Sequence, residues 1–341
     1  MSVNLKTSQS PMSTSCPPSG RMNLKTFMSR MTGAREMMLL GVVALMFVVM
    51  CFASPYFLSG ANLLAVLLSL SMEAIMVVGM VSLMVSGGFD MSVGSIVALS
   101  GGIAALLMKS GLPVWLSSIG GLCVGALVGM FNGFAIAKLG ITPFVTTLAS
   151  QSMCRGLVLV FLNGKNISGL PDSFTWIGQA KIGPVQMPVI YMLILVVIGD
   201  FLLRRSRFFR QNYYIGGNFK AAKLSGIHAE KMQIVNYVIM GLLAAFAGLI
   251  LTARLGSAST TAGVGLELKV ITAVIIGGAS MSGGEGTVVG AFLGCILMAL
   301  ISNAMTLLDV SVYWQTFVTG FTLMAAVLID RAGKIKQEKA K

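Results

Sequence analysis

Ten apolar runs follow one another along this chain with hardly a charge inside them, near 37–54, 62–86, 92–108, 113–137, 142–162, 186–203, 234–253, 266–280, 284–306 and 311–329. A helix needs about 20 apolar residues to cross a hydrocarbon layer roughly 30 Å thick. In lipid the backbone can satisfy its own hydrogen bonds only as a helix or a closed barrel. The runs are too long for barrel strands, so they predict an all-α, polytopic membrane bundle of about ten transmembrane helices. Composition agrees: 56% of residues are hydrophobic and 10% charged, and the mean hydropathy is +0.88. A soluble core has no use for that much apolar surface.

The net charge of +13 needs no polyanionic partner, because topology explains where the cations lie. Of the 24 Lys and Arg residues, five precede the first run (Lys6, Arg21, Lys25, Arg30, Arg35). Seven stand between the sixth and seventh runs (Arg204, Arg205, Arg207, Arg210, Lys220, Lys223, Lys231), and five close the chain (Arg331, Lys334, Lys336, Lys339, Lys341). The positive-inside rule puts all three groups, and so both termini, in the cytoplasm. An even number of spans must then separate each pair, and six before the loop with four after it satisfy that parity. The chain divides into a polar N-terminal tail over 1–36, expected to be disordered, a membrane domain over 37–330 with a cytoplasmic loop at 204–231, and a basic C-terminal tail over 331–341.

Two runs fit a straight span poorly. The run 62–86 is longer than one helix needs and 266–280 is short, so a broken or re-entrant segment is expected at one of them. Gly-Ser breaks lie beside both, at Ser86-Gly87-Gly88 and from Gly277-Gly278 to Gly286. The pattern Gly87-Gly88-x-x-Met91-Ser92 recurs as Gly277-Gly278-x-x-Met281-Ser282, a short parallel repeat. The first run lacks a small-residue cleavage site and reads as an uncleaved span. Cys51, Cys123, Cys154 and Cys295 fall in four different runs without metal-ligand spacing, and Cys16 lies in the polar tail. They read as reduced packing residues.

Enzymatic constellations are thin. His228 is the only histidine and lies in the basic loop, which excludes a His-based zinc cluster or a Ser-His-Asp triad within the spans. No GxxxxGK[ST] phosphate loop is present. No catalytic or metal-ligating residue is therefore assigned, and no cofactor is expected on this chain. Uphill transport would draw its energy from a partner or from an ion gradient.

Ionisable residues at membrane depth each cost about 2.5 to 3.5 kcal/mol at a helix centre. They are Glu73, Arg155, Glu267 and Lys269. Arg155 is expected either to pair with a helix-end carbonyl or Glu73, or to serve a gate. Lys269 lies near a span end, from which it can snorkel to water. Such one-sided charges do not make a proton relay. Asn132, Thr142, Thr146, Thr147, Ser150, Gln151 and Ser152 cluster in the fourth and fifth runs. They suit either a hydroxyl-rich neutral solute or interhelical hydrogen bonding beside the small-residue stretch GLCVGALVG, the second reading carrying more weight. Trp115, Trp176 and Trp314 fall near run ends and read as interfacial anchors.

Within the basic loop, Asn218 reads as an N-cap, Phe219 to Ser225 as a short helix, and Gly226 as its C′ stop. The helix would run roughly 10 to 12 Å at 1.5 Å per residue, with Ala221 and Ala222 leaving a smooth face. It suits a groove on a partner protein; the bland reading is a connector on lipid headgroups.

Four stretches, VSGGFDMSVGSIVALSGG (85–102), FNGFAIAKLGITPFVTTLASQSMCRGLVLVFLNGK (131–165), YIGGNFKAAKLSGI (214–227) and GLELKVITAVIIGGASMSGGEGTVVGAFLG (265–294), stand in order along the chain. Together they resemble the ribose-type permeases of bacterial sugar-uptake ABC transporters, from about Leu40 to Asp330. The resemblance implies a permease dimer, of two identical or two related chains, in the bacterial inner membrane. It also implies cytoplasmic ATPase subunits that carry ATP and Mg, and a periplasmic binding protein that delivers a monosaccharide. Carried over, it makes Gly216, Gly217, Asn218, Ala221, Ala222, Ser225 and Gly226 the contact with the ATPase. For the translocation path or its gate the candidates are Asp90, Ser92, Ser95, Asn132, Thr146, Thr147, Gln151, Arg155 and Glu267. Asp90 is favoured as a cap for the following helix over a substrate contact, and Glu267 suits a helix start.

The chain departs from the family at Lys269, where an acidic residue is usual, and at Arg210-Gln211-Asn212, where glycine and arginine usually precede the tyrosine pair. Asn303 is followed by alanine instead of the commoner glycine. Besides an ATP-driven importer subunit, a gradient-driven or passive sugar carrier or channel remains as the alternative. A membrane enzyme lacks the nucleophile and base it would need.

Overall fold

The computed structural model describes residues 33–339 and is 76% helical. Thirteen helices and four two-residue strands make up the described chain. The tail expected over 1–36 lies outside the described residues except for its last four, in which helix α1 (Ala34–Ala53) has already begun. Cys16 and the first cations lie outside them as well.

All ten apolar runs are helical. They form α1, α2 (Gly60–Val85), α3 (Val93–Lys109), α4 (Val114–Ala137), α5 (Pro143–Phe161), α7 (Met187–Arg205), α10 (Ala229–Leu255), α11 (Leu266–Ile276), α12 (Val288–Leu307) and α13 (Val312–Lys339). Eight are long and apolar enough to cross a membrane; α3 and α11 are the two that fall short. The eleven residues of α11 reach about 16 Å, half a bilayer core. Of the two runs expected to be irregular, 62–86 is one unbroken helix of 26 residues, started by Ser59 Oγ accepting from Asn62 N at 3.3 Å. The second short element beside α11 is α3, a continuous helix of 17 residues, which the run lengths did not single out.

Between α5 and α7 lie the short helix α6 (Asp172–Gln179) and three strands, β1 (Ile167–Ser168), β2 (Lys181–Ile182) and β3 (Val185–Gln186). The last strand, β4 (Ser257–Ala258), follows α10 and pairs antiparallel with β1, while β2 and β3 form a hairpin. These pieces share one face of the bundle, where Lys109 Nζ also donates to Gly169 O at 2.8 Å. The basic loop lies on the other face and is itself helical, as α8 (Arg207–Gly217) and α9 (Phe219–Leu224). Trp115, Trp176 and Trp314 are exposed at the start of α4, on α6 and at the start of α13, all on the β-strand face. An aromatic belt at one interface has this placement.

The centre of the bundle is α10. On α4, Gly121, Gly125, Gly129 and Gly133 recur every fourth residue, so they form one stripe, and it lies on α10. A Cβ at Gly125 would collide with Gly241 O, and one at Gly129 with Tyr237 O. The small residues of GLCVGALVG are thus a close helix–helix seam, as side chains of that size permit in lipid. On its other side α10 meets α3, where Ser100 Oγ reaches Ala245 O at 3.4 Å and a Cβ on Gly248 would strike Val97 O. With lipid as solvent there is no hydrophobic drive between helices, so such backbone approaches and polar pairs hold the bundle together.

Candidate functional site

The short helices α3 and α11 both begin inside the bundle, and their N-termini touch. Val93, Gly94, Ser95 and Glu267 are buried. Gly263, in the left-handed region at φ +72°, lies so close to Gly94 that a Cβ on either would collide with the other's carbonyl oxygen. Two residues one turn apart on α5 close the junction. Gln151 Nε2 donates to Glu267 Oε1 at 3.0 Å. Arg155 donates from Nη1 to Thr260 O at 3.0 Å and Ala262 O at 2.9 Å, and from Nη2 to Gly94 O at 3.5 Å. The guanidinium, whose planar fork suits several acceptors at once, thus ties the turn that leads into α11 onto the start of α3. The second oxygen of Glu267 is buried without a hydrogen-bond partner among the described residues.

Of the remaining pathway candidates, Asp90, Ser92 and Asn132 form a neighbouring network with Ser150. Asp90, fully buried, accepts at Oδ1 from Ser92 N (2.7 Å) and Ser92 Oγ (2.5 Å), and at Oδ2 from Asn132 Nδ2 (3.5 Å). Asn132 also donates to Ser92 Oγ at 3.1 Å and accepts from Ser150 Oγ at 2.5 Å. Ser95, Thr146 and Thr147 donate to the carbonyls of Ser92, Thr142 and Pro143 in their own helices or caps. A buried carboxylate is tolerable only when it is hydrogen-bonded in this way. Asp90 shapes the turn into α3 and pins α4, through Asn132, to α5. Asn132 of α4 and Ser150 of α5 face one another, Gln151 and Arg155 are half-buried at the rim, and Thr142 and Ser152 are exposed.

Of the two structural partners expected for Arg155, the carbonyls are the ones it takes. Glu73 pairs instead with Lys269, Oε1 to Nζ at 3.6 Å, with Cys295 Sγ 3.9 Å from its other oxygen. Lys269 turns toward this carboxylate and keeps 31% of its side chain exposed.

On the opposite face, α9 has the local form read from its residues. Asn218 Oδ1 accepts from Ala221 N at 3.0 Å, and Gly226 has φ +83°. The expectation of a smooth face made by both alanines needs correction. Ala221 is exposed, whereas Ala222 is buried against Ile215, Ala229 and Met232, because α9 folds back onto α8 and α10. Gly216 also faces inward, where a Cβ would collide with Val85 O and Gly284 N. Gly217, Asn218, Ser225 and Gly226 remain exposed with Ala221, and Leu224 stands 90% exposed beside them. Glu230 braces the loop through Lys223 (2.8 Å) and Lys138 at the end of α4 (2.7 Å).

Of the departure at Arg210-Gln211-Asn212, Arg210 stays exposed and only Asn212 is taken inside the protein. Asn212 is fully buried and donates to Ser82 Oγ at 2.9 Å, and Asn236 of α10 donates to Asn212 Oδ1 at 2.9 Å and to Ser86 Oγ at 3.3 Å. Tyr213 donates its hydroxyl to Gly286 O at 2.8 Å. Burial pushes the Tyr213 phenol above its ordinary range, so it stays protonated as a donor. Ser82, Asn212, Tyr213 and Asn236 were not read as functional residues. The available signal was an amide deep in an apolar run, as at Asn236, which is costly unless paired.

The short repeat also has a structural counterpart. Gly87 (φ +85°) follows α2 and Gly278 (φ +92°) follows α11. In the next turn Asp90 accepts from Ser92 N, as Ser280 Oγ accepts from Ser282 N at 3.2 Å. The two turns adjoin near Gly216, and Gly284 N donates to Val85 O at 2.8 Å. The helical loop is therefore seated on the two turns that lead into α3 and out of α11.

Residues 62–327 match the family model described as "Branched-chain amino acid transport system / permease component". The chain is 39% identical over 286 residues to the ribose import permease protein RbsC of Bacillus subtilis, covering 83% of this chain and 89% of that one. It is 36% identical over 277 residues to the D-allose transport system permease protein AlsC of Escherichia coli, covering 81% and 85%. To the xylose transport system permease protein XylH of Haemophilus influenzae it is 32% identical, covering 82% and 91%. No solved structure matches the chain. The chain belongs to the ribose-type permease family of ABC transporters.

Proposed function

We propose that this chain is the membrane-spanning subunit of a bacterial ABC importer that moves a monosaccharide across the inner membrane. The ATP and Mg chemistry belongs to a partner ATPase docked in the cytoplasm. A periplasmic binding protein delivers the sugar, and a second permease chain completes the path. The observation that carries this reading is the seating of α8 and α9. A rim of Gly217, Ala221, Leu224 and Ser225 is exposed and free to take a partner, while the inner side rests on the turns at 86–92 and 277–287.

Closure of an ATPase pair would push this rigid unit against both turns. Those turns lead into α3 and out of α11, the two helices whose N-termini meet under Arg155. A shift of either helix parts Gly94 from Gly263 and opens the junction to the rim formed by Gln151 and Arg155. The coupling residues are thus Gly217, Asn218, Ala221, Ser225 and Gly226 at the partner surface, with Gly216 and Ala222 packed behind it. Asp90, Ser92, Ser95, Asn132, Thr146 and Thr147 hold the hinge, and Gln151, Arg155 and Glu267 form the gate.

Reconstitution tests this. The full chain, purified in mild detergent from its native membrane with whatever copurifies, should bring down an ATPase and load labelled sugar into liposomes only with ATP. Uptake by the chain alone, driven by a gradient or by none, would establish the carrier alternative instead.

A further inference from the structure

A cavity of about 790 Å³ opens on the β-strand face between α2, the end of α10, α11 and the β2–β3 hairpin. Its volume lies within the roughly 300–1,000 Å³ of small-molecule sites. Gly263 of the junction with Gly94 forms part of its wall, while Gln151, Arg155 and Glu267 do not line it. Its charges are Lys181, Arg254 and Lys269 against one carboxylate, Glu73. Glu73 is already taken by Lys269. Arg254 is half-buried, and its guanidinium makes no ion pair or hydrogen bond among the described residues. The wall that holds it there is tight: Gly178 of α6 lies on the Arg254 backbone, where a Cβ would collide, and Gln179 Nε2 donates to Arg254 O at 3.0 Å. The side-chain amide oxygen Oε1 of Gln186, which also lines the cavity, is buried without a hydrogen-bond partner among the described residues.

An unpaired, half-desolvated guanidinium beside two ammonium groups attracts an anion. The neighbouring orphan carbonyl accepts from a hydroxyl. We propose that this cavity is an outer binding site for a hydroxyl-rich anion, a sugar acid or sugar phosphate, with its acidic group on Arg254 and Lys269 and a hydroxyl on Gln186. The inference rests on the importer reading for its meaning, since it names the substrate class that enters the path. Its physical content, anion binding on the outer face, does not depend on an ATPase.

Saturation-transfer NMR on the full chain in phosphatidylcholine nanodiscs tests it, with D-galacturonate and D-galactose as probes. Galacturonate should give a signal at least about tenfold stronger than galactose, and it should weaken with added salt. Arg254→Gln should reduce it about tenfold, whereas Arg254→Lys should keep most of it and Lys165→Gln, outside the cavity, all of it. Because Lys269→Gln strands a buried carboxylate, the paired variant Glu73→Gln with Lys269→Gln replaces it and should also lose binding.

Equal signals for the two sugars, none for either, or an unchanged signal in Arg254→Gln would overturn the proposal. So would exclusion of galacturonate when phosphatidylglycerol is added, together with copurification of that lipid by the wild-type chain and not by Arg254→Gln. That outcome would mark a lipid headgroup site. Failure of ATP-driven uptake with galacturonate binding intact would refute the importer reading alone, and the reverse result would refute only this site.

Discussion

Asn212 of α8 and Asn236 of α10 exchange amide hydrogen bonds, Asn236 Nδ2 to Asn212 Oδ1 at 2.9 Å and Asn212 Nδ2 to Asn236 Oδ1 at 3.3 Å. Ser82 and Ser86 of α2 and its C-cap complete the ladder. A loop bearing many cations would otherwise be free to lie on headgroups. This pair anchors it to the centre of the bundle.

Asn212→Leu should therefore leave Asn236 and Ser82 partly unpaired in a buried place, at a cost of about 1–3 kcal/mol. Thermal unfolding in detergent, followed by tryptophan fluorescence, should show the loss. A double-mutant cycle with Asn236→Leu should return a coupling energy on the order of 0.5–3 kcal/mol. Strict additivity would show that the amides do not interact.

Gly217 and Gly216 are neighbours with opposite surroundings, open space around one and backbone on every side of the other. Gly217→Trp should insert and unfold normally yet lose the copurified ATPase. Gly216→Ala should fail earlier, with reduced yield of monodisperse protein by size exclusion. If Gly217→Trp still retains its ATPase, the rim is not the docking surface.

At the proposed gate, Arg155 holds three carbonyls from two segments. A lysine keeps the charge but not the planar fork. Arg155→Lys should cut ATP-driven uptake at least about tenfold while ATPase association stays intact. Near-normal uptake would reduce the residue to a dispensable brace.

Gly94→Ala places a methyl against Gly263 O and the Glu267 carboxylate, so it should lower thermal stability and uptake together. Gly41→Ala is the contrasting case, on an exposed face of α1 with no neighbour within 4 Å. It should be neutral or stabilising by up to about 0.5–1 kcal/mol, the ordinary helix preference of alanine over glycine. Equal losses at both positions would mean that the close approach is not what matters.

The ten apolar runs, the parity of the basic groups, the glycine stripe on α4 and the cap of α9 at Asn218 were all legible in the residues. Each depends on contacts a few positions apart or on transfer from water to lipid, and both are local properties of the chain. The candidates Gln151, Arg155 and Glu267 were named from their polarity and charge within the stretches that carry the family resemblance, and the fold does bring them to one junction.

Which groups pair is another matter, because pairing across tens of residues depends on how helices cross. Nothing local distinguishes Glu73 from a carbonyl as the partner of Arg155. Nor does anything local show that Ala222 faces inward while Ala221 faces out, that Asn212 is an internal lock, or that Arg254 stands unpaired in a cavity. The sequence by itself determined the membrane-spanning character, the order of the apolar helices and the places where a partner and a polar path must be sought. Only the tertiary structure decided that the two short helices meet at Gly94 and Gly263 and that the basic loop is seated on the turns leading to both. Hydrophobicity is a property of each residue, and those contacts are properties of pairs.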